Sequence, residues 1–513
     1  MAKIAGIDLG TTFSAIAHLN EMGRPEVIPN VDGDRIMHSA VYFSEGGNVQ
    51  VGAEAVRSRY EDDSRSVRWI KARMGDADHR TSIDGKEHTP AELSALILKK
   101  LHQDAIPQVG EVTDVVISIP ANFGEVARKA TMDAGKIAGL NVVGLVNEPT
   151  AAAFYYAITN EIAGRVMVFD LGGGTFDVSV ANVAGKDIDI VASSGDRDLG
   201  GSQFDQKLLE YFDKKYKEET GGKLYRTPEE RAEFEDYAEE TKKSLSKKET
   251  VKFRLKGEEG TVSGEITRSE FESLISSDIA RIEMLIETVL DEAKFEASDV
   301  EKVLLAGGSS RIPAVRRLLK EMFGYEPTLA GNVDECVCLG AALYAGIRLL
   351  EEEPSKVTDG QAGALKDIKV GEVCNASYGT HCFAHDDVIG KTVLKNDILI
   401  KKSSKIPCEV SRTYFTVRPN QEVVEGNVTQ GESSDPDFAP KIATGKLQLP
   451  AGLPEGSPID VTYSYDKDQR MSCVFEHKES RKKLVINLDI ESGTSTSERV
   501  EDKQAKMEDF TIE

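Results

Sequence analysis

The 513-residue sequence has no stretch of about 18 or more apolar residues, so no part of it is expected to cross a membrane as a helix. Its opening, MAKIAGIDLG, carries a lysine but no long apolar core behind it, and is not expected to act as a secretory signal. Cysteine is scarce: Cys336, Cys338, Cys374, Cys382, Cys408 and Cys473 are all there is. None forms a CxxC pair and the eight histidines never form HExxH, which leaves a zinc site without support. Reduced thiols in a cytoplasmic protein are the expectation. Positive charge is also in short supply, with 63 Lys and Arg against 87 Asp and Glu, for a net charge of −24. Nucleic acids and anionic membranes want clustered cations, so neither is an expected partner. What is present is a globular composition, 40% hydrophobic and 29% charged. The length is that of about two to four domains.

Short β-branched runs recur at 3–7, 114–120, 142–146, 165–170, 188–192 and 300–306, with helical patterns at 125–138, 149–157 and 279–295 between several of them. That alternation predicts an α/β architecture with substantial sheets. Residues 201–280 are rich in Glu and Lys and mostly helical in pattern, broken by VKFRL and a GEEG turn. Charge, Pro and Gly combine at 353–372, which reads as a linker. Beyond it the helical period nearly disappears, predicting an all-β domain over 373–490. The tail at 491–513 is polar and charged with one late Phe and Ile, and is expected to be loose.

The stretch VFDLGGGTFDVS, residues 168–179, sets three glycines between apolar β-branched runs. No Lys-Ser or Lys-Thr follows the glycines and no helical pattern opens on them, so this is neither a Walker loop nor a dinucleotide fingerprint. A glycine turn between strands can still aim backbone N–H groups at an anion, and Gly172, Gly173 and Gly174 permit close approach. Asp170 and Asp177 would repel a phosphate directly. They make sense with Mg²⁺ and its waters between carboxylate and phosphate. Thr175 offers a hydroxyl to a γ-phosphate or a water. A structural surface hairpin is the alternative for this segment taken alone. Its partial copy, Asp8-Leu9-Gly10-Thr11-Thr12 within residues 4–14, favours a nucleotide held between two related half-domains. A third turn, VLLAGGSSRIP at 303–313, places Gly307 and Gly308 to admit a flat ring, with Ser309 and Arg311 as polar contacts. A plain strand–helix connection with an early proline is its alternative.

GIDLGTTFS, IPANF, GLNVVGLVNEPTAAAFYY, FDLGGGTFDVS, DLGGSQFD, AGGSSRIP and DECVCLGAA follow one another in an order that resembles the 70-kDa heat-shock chaperones, of the actin, hexokinase and heat-shock ATPase superfamily. The resemblance runs to about residue 490. It implies a two-lobed, actin-like α/β ATPase domain at 1–352 with a helical subdomain at about 201–280. A linker at 353–372 and a β-sandwich at 373–490 that binds extended peptides follow. The implied function is that of a chaperone that binds unfolded polypeptide segments in a cycle of ATP hydrolysis to ADP and phosphate. ATP or ADP, Mg²⁺ and K⁺ are the implied ligands, and a J-domain co-chaperone and a nucleotide exchange factor the implied partners besides clients.

Residue by residue, the resemblance makes Lys71, Glu148, Asp177, Thr175, Asp170 and Asp8 the catalytic set, with Asp8 and Asp170 holding Mg²⁺ through water. Gly10, Thr11, Thr12, Gly172, Gly173, Gly174, Gly200 and Gly201 match phosphate contacts. Glu239, Lys242, Lys243, Ser246, Gly307, Gly308, Ser309, Arg311 and Asp334 match adenosine contacts. Pro120 and Arg128 match a relay to the peptide domain. Several positions depart from the family pattern. Lys243 and Gly144 replace arginines, Asn122 replaces a tyrosine, and ALKDIKVGEV replaces a leucine-rich linker, predicting weaker linker docking. A helical lid over the peptide site has no counterpart in the polar tail, which predicts fast peptide exchange. Two other readings compete: an ATP-binding adaptor or co-chaperone with little turnover, and a sugar kinase or actin-like filament protein, which the β-domain disfavours.

Overall fold

The computed structural model describes residues 3–160, 162–329, 332–386, 390–466, 469–488, 500–508 and 510–512. Two large sheets form its first part, and their centres are built alike. In one, the hairpin Lys3–Asp8/Phe13–Leu19 continues through Pro25–Ile28, while on its other side Lys3–Asp8 pairs in parallel with Val112–Ile119. In the other, the hairpin Gly164–Leu171/Phe176–Ala184 continues through Asp187–Asp196, while Gly164–Leu171 pairs in parallel with Lys302–Ala306. The partial repeat in the sequence is thus a repeat of a strand pattern, with an aspartate ending the first strand of each hairpin or standing next to its end.

The inner strands are buried on both faces, which is why 112–119 and 164–171 read as continuous apolar runs rather than alternating ones. Helices Glu148–Asn160 and Cys336–Glu352 pack against each other and share one core with strands of both sheets. Glycine makes this closeness feasible. A Cβ on Gly340 would stand 1.8 Å from the carbonyl oxygen of Ala151, and one on Gly6 2.0 Å from the amide nitrogen of Ala342. Helices Gly201–Thr220 and Pro228–Leu245 and the hairpin Thr250–Gly257/Gly260–Thr267 build the acidic helical part, joined by Ser276–Ala293 to the core of the second sheet.

The β-rich part is a sandwich of two four-stranded antiparallel sheets. Strand Pro458–Tyr465 alternates half-buried and buried residues along its whole length, as a strand with one face on a core must. No helix among the described residues is long and apolar enough to cross a membrane.

Two segments differ from the sequence-based expectation. The stretch read as a linker is ordered. A Thr358–Gln361 capping box starts helix Asp359–Leu365, Leu365 and Ile368 enter the core, and strand Lys369–Val373 adds in parallel to Asp187–Asp196. That strand also pairs antiparallel with Lys405–Ile406 of the sandwich. Main-chain pairing supplies what the missing leucines do not. The tail differs too where it is described, 491–499, 509 and 513 lying outside the described residues: helix Val500–Glu508 packs on helices Pro90–Val109 and Glu125–Ile137, and Thr511–Ile512 adds a strand to a small sheet of the first lobe. Its few apolar residues face inward, enough to seat a segment whose composition reads as solvated.

Candidate active site

The two hairpin turns face each other across a cleft. In the first, a Cβ on Gly10 would lie 1.9 Å from the carbonyl oxygen of Phe13, so only glycine fits. Ser14 Oγ accepts from the Gly10 amide at 3.2 Å and Ser39 Oγ donates to its carbonyl at 2.7 Å, bracing the turn. Asp8 Oδ1 accepts from Ser118 Oγ at 2.9 Å. In the second, the amide of Gly172 donates to the Thr175 carbonyl at 3.0 Å. Gly173 abuts Thr12 and Gly174 abuts Thr11, where added Cβ atoms would come within 2.0 and 2.5 Å of those side chains. Gly200 lies against Gly174, and the amides of Gly201 and Ser202 donate to the carbonyls of Gly172 and Gly173 at 3.0 and 2.6 Å.

Asp170 and Asp177 stand directly opposite each other across the second hairpin, a pairing of like charges that a strand pair ordinarily avoids. Asp177 Oδ1 accepts from the amide of Ala121 at 2.9 Å, while its Oδ2 is buried without a partner, as is Thr11 Oγ1. Burial, then the charges of Glu148, Asp177 and Asp8, push the Asp170 carboxyl well above the ordinary aspartate range. Burial and Glu148 do the same to Asp177. Lys71, 4% exposed, forms an ion pair with Glu148. Burial opposes its charge, but Glu148 and Asp8 hold the ammonium above its ordinary value.

Delivery of that lysine depends on a turn. Strand Ser66–Arg68 runs into Trp69, whose φ of 56° is left-handed, and the short helical turn Ile70–Arg73 follows. The Arg68 guanidinium sits 4.7 Å over the Trp69 ring. Gly75, at φ 87°, then presses against Ala127, where a Cβ would come within 2.9 Å of the backbone nitrogen.

The third turn closes the cleft. Gly307, at φ 73°, lies against Leu171, and Ser309 Oγ donates to the Gly172 carbonyl at 2.8 Å. Arg311 makes a two-pronged pair with Asp334 at 3.1 and 2.9 Å. Lys242 binds Asp205 at 2.7 Å and the Gly201 carbonyl at 3.0 Å, tying its helix to the first turn of Gly201–Thr220. Lys243 bridges Glu239 at 3.0 Å and Glu240 at 2.8 Å, and Ser246 Oγ donates to the Lys242 carbonyl at 3.1 Å. A cavity of about 1060 Å³ is lined by residues of all three turns, with Lys71, Glu148, Glu239, Lys242, Lys243 and Asp334. Asp177, Gly200, Pro120 and Arg128 are not on its wall.

Arg128 lies instead in the seam between lobe and sandwich. The amide that Asp177 accepts belongs to the turn after Pro120; in that turn Phe123 accepts from Arg128 Nε at 3.2 Å. The guanidinium also donates to Asn147 Oδ1 at 3.0 Å, and Asn147 Nδ2 donates to Glu372 Oε2, in the strand 369–373, at 3.1 Å. Glu125 accepts from the hydroxyls of Tyr378 and Tyr465 of the sandwich at 2.8 and 2.9 Å. Sequence reading missed Ser118, Trp69, Gly75, Glu125, Asn147, Glu372 and both tyrosines. For Ser118 a signal existed: in-register pairing of 112–119 with the first strand puts it beside Asp8. For the seam none did, because its partners are joined only by the fold.

A family model described as Hsp70 protein matches residues 4–84 and 76–513. "Chaperone protein DnaK" of Thermotoga neapolitana is 38% identical over 482 residues, covering 91% of this chain and 76% of that protein. The protein of the same name from Thermotoga maritima gives the same identity and coverage. With a family model over nearly its whole length and a two-lobed cleft joined to a β-sandwich, the chain belongs to the Hsp70 family and is an ATP-dependent molecular chaperone, an ATPase that binds ATP or ADP with Mg²⁺ and takes unfolded polypeptide as client.

Proposed function

We propose that the cavity between the three glycine turns is where this chain hydrolyses ATP, with the phosphates between the Asp8 and Asp170 hairpins and the adenosine between Lys243 and Arg311. The observation that supports this most is the Asp170–Asp177 pair, buried and directly opposite each other, with Asp170 and the Lys71 ammonium on the cavity wall. No group of three or more His, Cys, Asp or Glu among the described residues is arranged to ligate a metal directly. The donor set fits a cation held through water: the acids repel one another, and Asp177 Oδ2 lacks a partner. Asp8 and Asp170 would hold Mg²⁺ in this way. When bound, it supplies positive charge that neutralises the phosphate oxygens.

Lys71 sits at the γ-phosphate end and stabilises charge developing on the transferred group. Glu148 and Asp177 orient the attacking water and receive its proton, and Thr175 adds a hydroxyl donor. In this reading 1–352 is the ATPase and 373–490 the client domain, in which an extended peptide pairs by main-chain hydrogen bonds with side-chain pockets for selection. The segment between carries the nucleotide state through Pro120 and Arg128. K⁺, a J-domain co-chaperone, an exchange factor and a cytoplasmic location, which six free thiols suit, belong to the same proposal.

Single-turnover hydrolysis by Lys71→Ala tests it. The rate is expected to fall about 10²- to 10³-fold with nucleotide binding largely kept. Equal turnover in variant and wild type would remove Lys71 from the mechanism, and negligible turnover in both would favour an ATP-binding adaptor.

A further inference from the structure

The last described residues, 500–508 and 510–512, are seated on the catalytic lobe. Thr511 and Ile512 pair in parallel with Asn48 and Val49, adding a fourth strand to the sheet formed by Asn48–Val51, Ala40–Phe43 and Ser66–Arg68. Without that strand, Asn48–Val51 would be an open edge. Met507 is buried in the core of the lobe, and Val500, Phe510 and Ile512 pack against it. The Phe510 ring meets Phe43 edge-on at 5.9 Å between centroids and His88 at 6.3 Å. Two polar ties fix the helix: Lys503 pairs with Glu92 at 3.6 Å, and Lys99 Nζ donates to the Met507 carbonyl at 2.9 Å.

The place matters more than the packing. Ser66–Arg68, the opposite edge of the same sheet, runs directly into the Trp69 turn and Lys71. The turn's far side rests on the two helices that the tail helix covers. Ser94 of Pro90–Val109 contacts Met74 Sδ at 3.6 Å, and Gly75 presses on Ala127 of Glu125–Ile137. The segment 500–512 therefore touches every element that brackets the Lys71 turn: the sheet that feeds it and both helices beneath it.

We propose that the C-terminal segment 500–512 is a positioning element for ATP hydrolysis, an intramolecular strap whose added strand and inserted Met507 and Phe510 fix the sheet and helices from which Lys71 is delivered. The inference rests on the role given above to Lys71. It makes no contact with nucleotide part of the strap's work; the strap acts through the Trp69 turn. Turnover should accordingly depend on the strap while ATP affinity, set by all three turns, depends on it little.

The test uses the full-length chain. Phe510→Asp is expected to release the strap, seen as faster hydrogen exchange at the amides of 48–51, and to slow single-turnover hydrolysis about tenfold with less than about twofold change in the Kd for ATP. A synthetic peptide of residues 500–513, added in excess, should restore the rate, which a merely misfolded lobe would not permit. Ile512→Asp, in the added strand itself and half-buried like Phe510, tests the same point from the strand and should act in the same direction by a smaller factor. Faster exchange at 48–51 with an unchanged rate would overturn the proposal, as would unchanged exchange in both variants. If Lys71→Ala hydrolyses like wild type, the reading of the site has failed; if it is slow while the released-strap variants are not, only the strap has.

Discussion

The cleft and the seam both bury acids, and they treat them in opposite ways. In the cleft, Asp170 faces Asp177 with Asp8 and Glu148 nearby; the charges of Glu148, Asp177 and Asp8 raise Asp170, that of Glu148 raises Asp177, and Asp177 Oδ2 has no hydrogen-bond partner among the described residues. In the seam, Glu125 takes two tyrosine hydroxyls and Glu372 takes the Asn147 amide, with the Arg128 guanidinium between them. Burial is the same cost in both places. Acids set against acids are costly to keep charged together, even with Lys71 beside Glu148; acids set against donors from another segment hold that segment in place. The first arrangement marks a site and the second a joint.

The largest way to break this contrast is to empty the seam of its one guanidinium. Arg128→Ala removes the hydrogen bonds that the guanidinium gives to the Phe123 carbonyl and Asn147 Oδ1, a loss of about 3–6 kcal/mol at about 1.5–3 for each charged bond. Thermal unfolding should resolve into two transitions, with sandwich and lobe separating. A single transition at the wild-type temperature would mean the guanidinium does not hold the joint.

A second way is pH. Burial pushes the Glu372 carboxyl from its ordinary 4.5 up to about 7, opposed by hydrogen bonds from Thr150 and Asn147. The docked form thus holds a proton that the released form has lost. Docking has its full support below 4.5 and loses it as pH rises through about 7, by roughly 3 kcal/mol over the window. Protease sensitivity of residues 366–373 should rise with pH in wild type and stay flat in Glu372→Gln. Parallel curves would show that another group titrates.

The cleft offers the smallest change. Lys243→Arg puts a planar guanidinium where the ammonium bridges Glu239 and Glu240, and should tighten ATP by a few-fold, about 1 kcal/mol at most. Trp69, the single tryptophan and part of the cavity wall, reports binding by fluorescence. Weaker binding would place the adenine elsewhere.

How much of this was legible follows the same division. The glycine turns announced themselves because close backbone approach leaves a residue signature, and the copy at 8–12 doubled it. Buried parallel strands announced themselves as apolar runs. Strand additions did not: Lys369–Val373 and Thr511–Ile512 dock mainly through main-chain groups, which every residue carries. The tyrosines of the seam meet Glu125 across 253 and 340 residues of chain, a distance over which no local pattern reports. Lys71 was legible only through the resemblance; the left-handed Trp69 that aims it has no sequence mark of its own.

Client binding at the sandwich should be felt at the cleft through the Arg128 seam. Steady-state ATP hydrolysis with and without an unfolded peptide measures this most directly. Turnover should be faster with peptide in wild type and unstimulated in Arg128→Ala. Equal turnover with and without saturating peptide in the wild-type protein would contradict it.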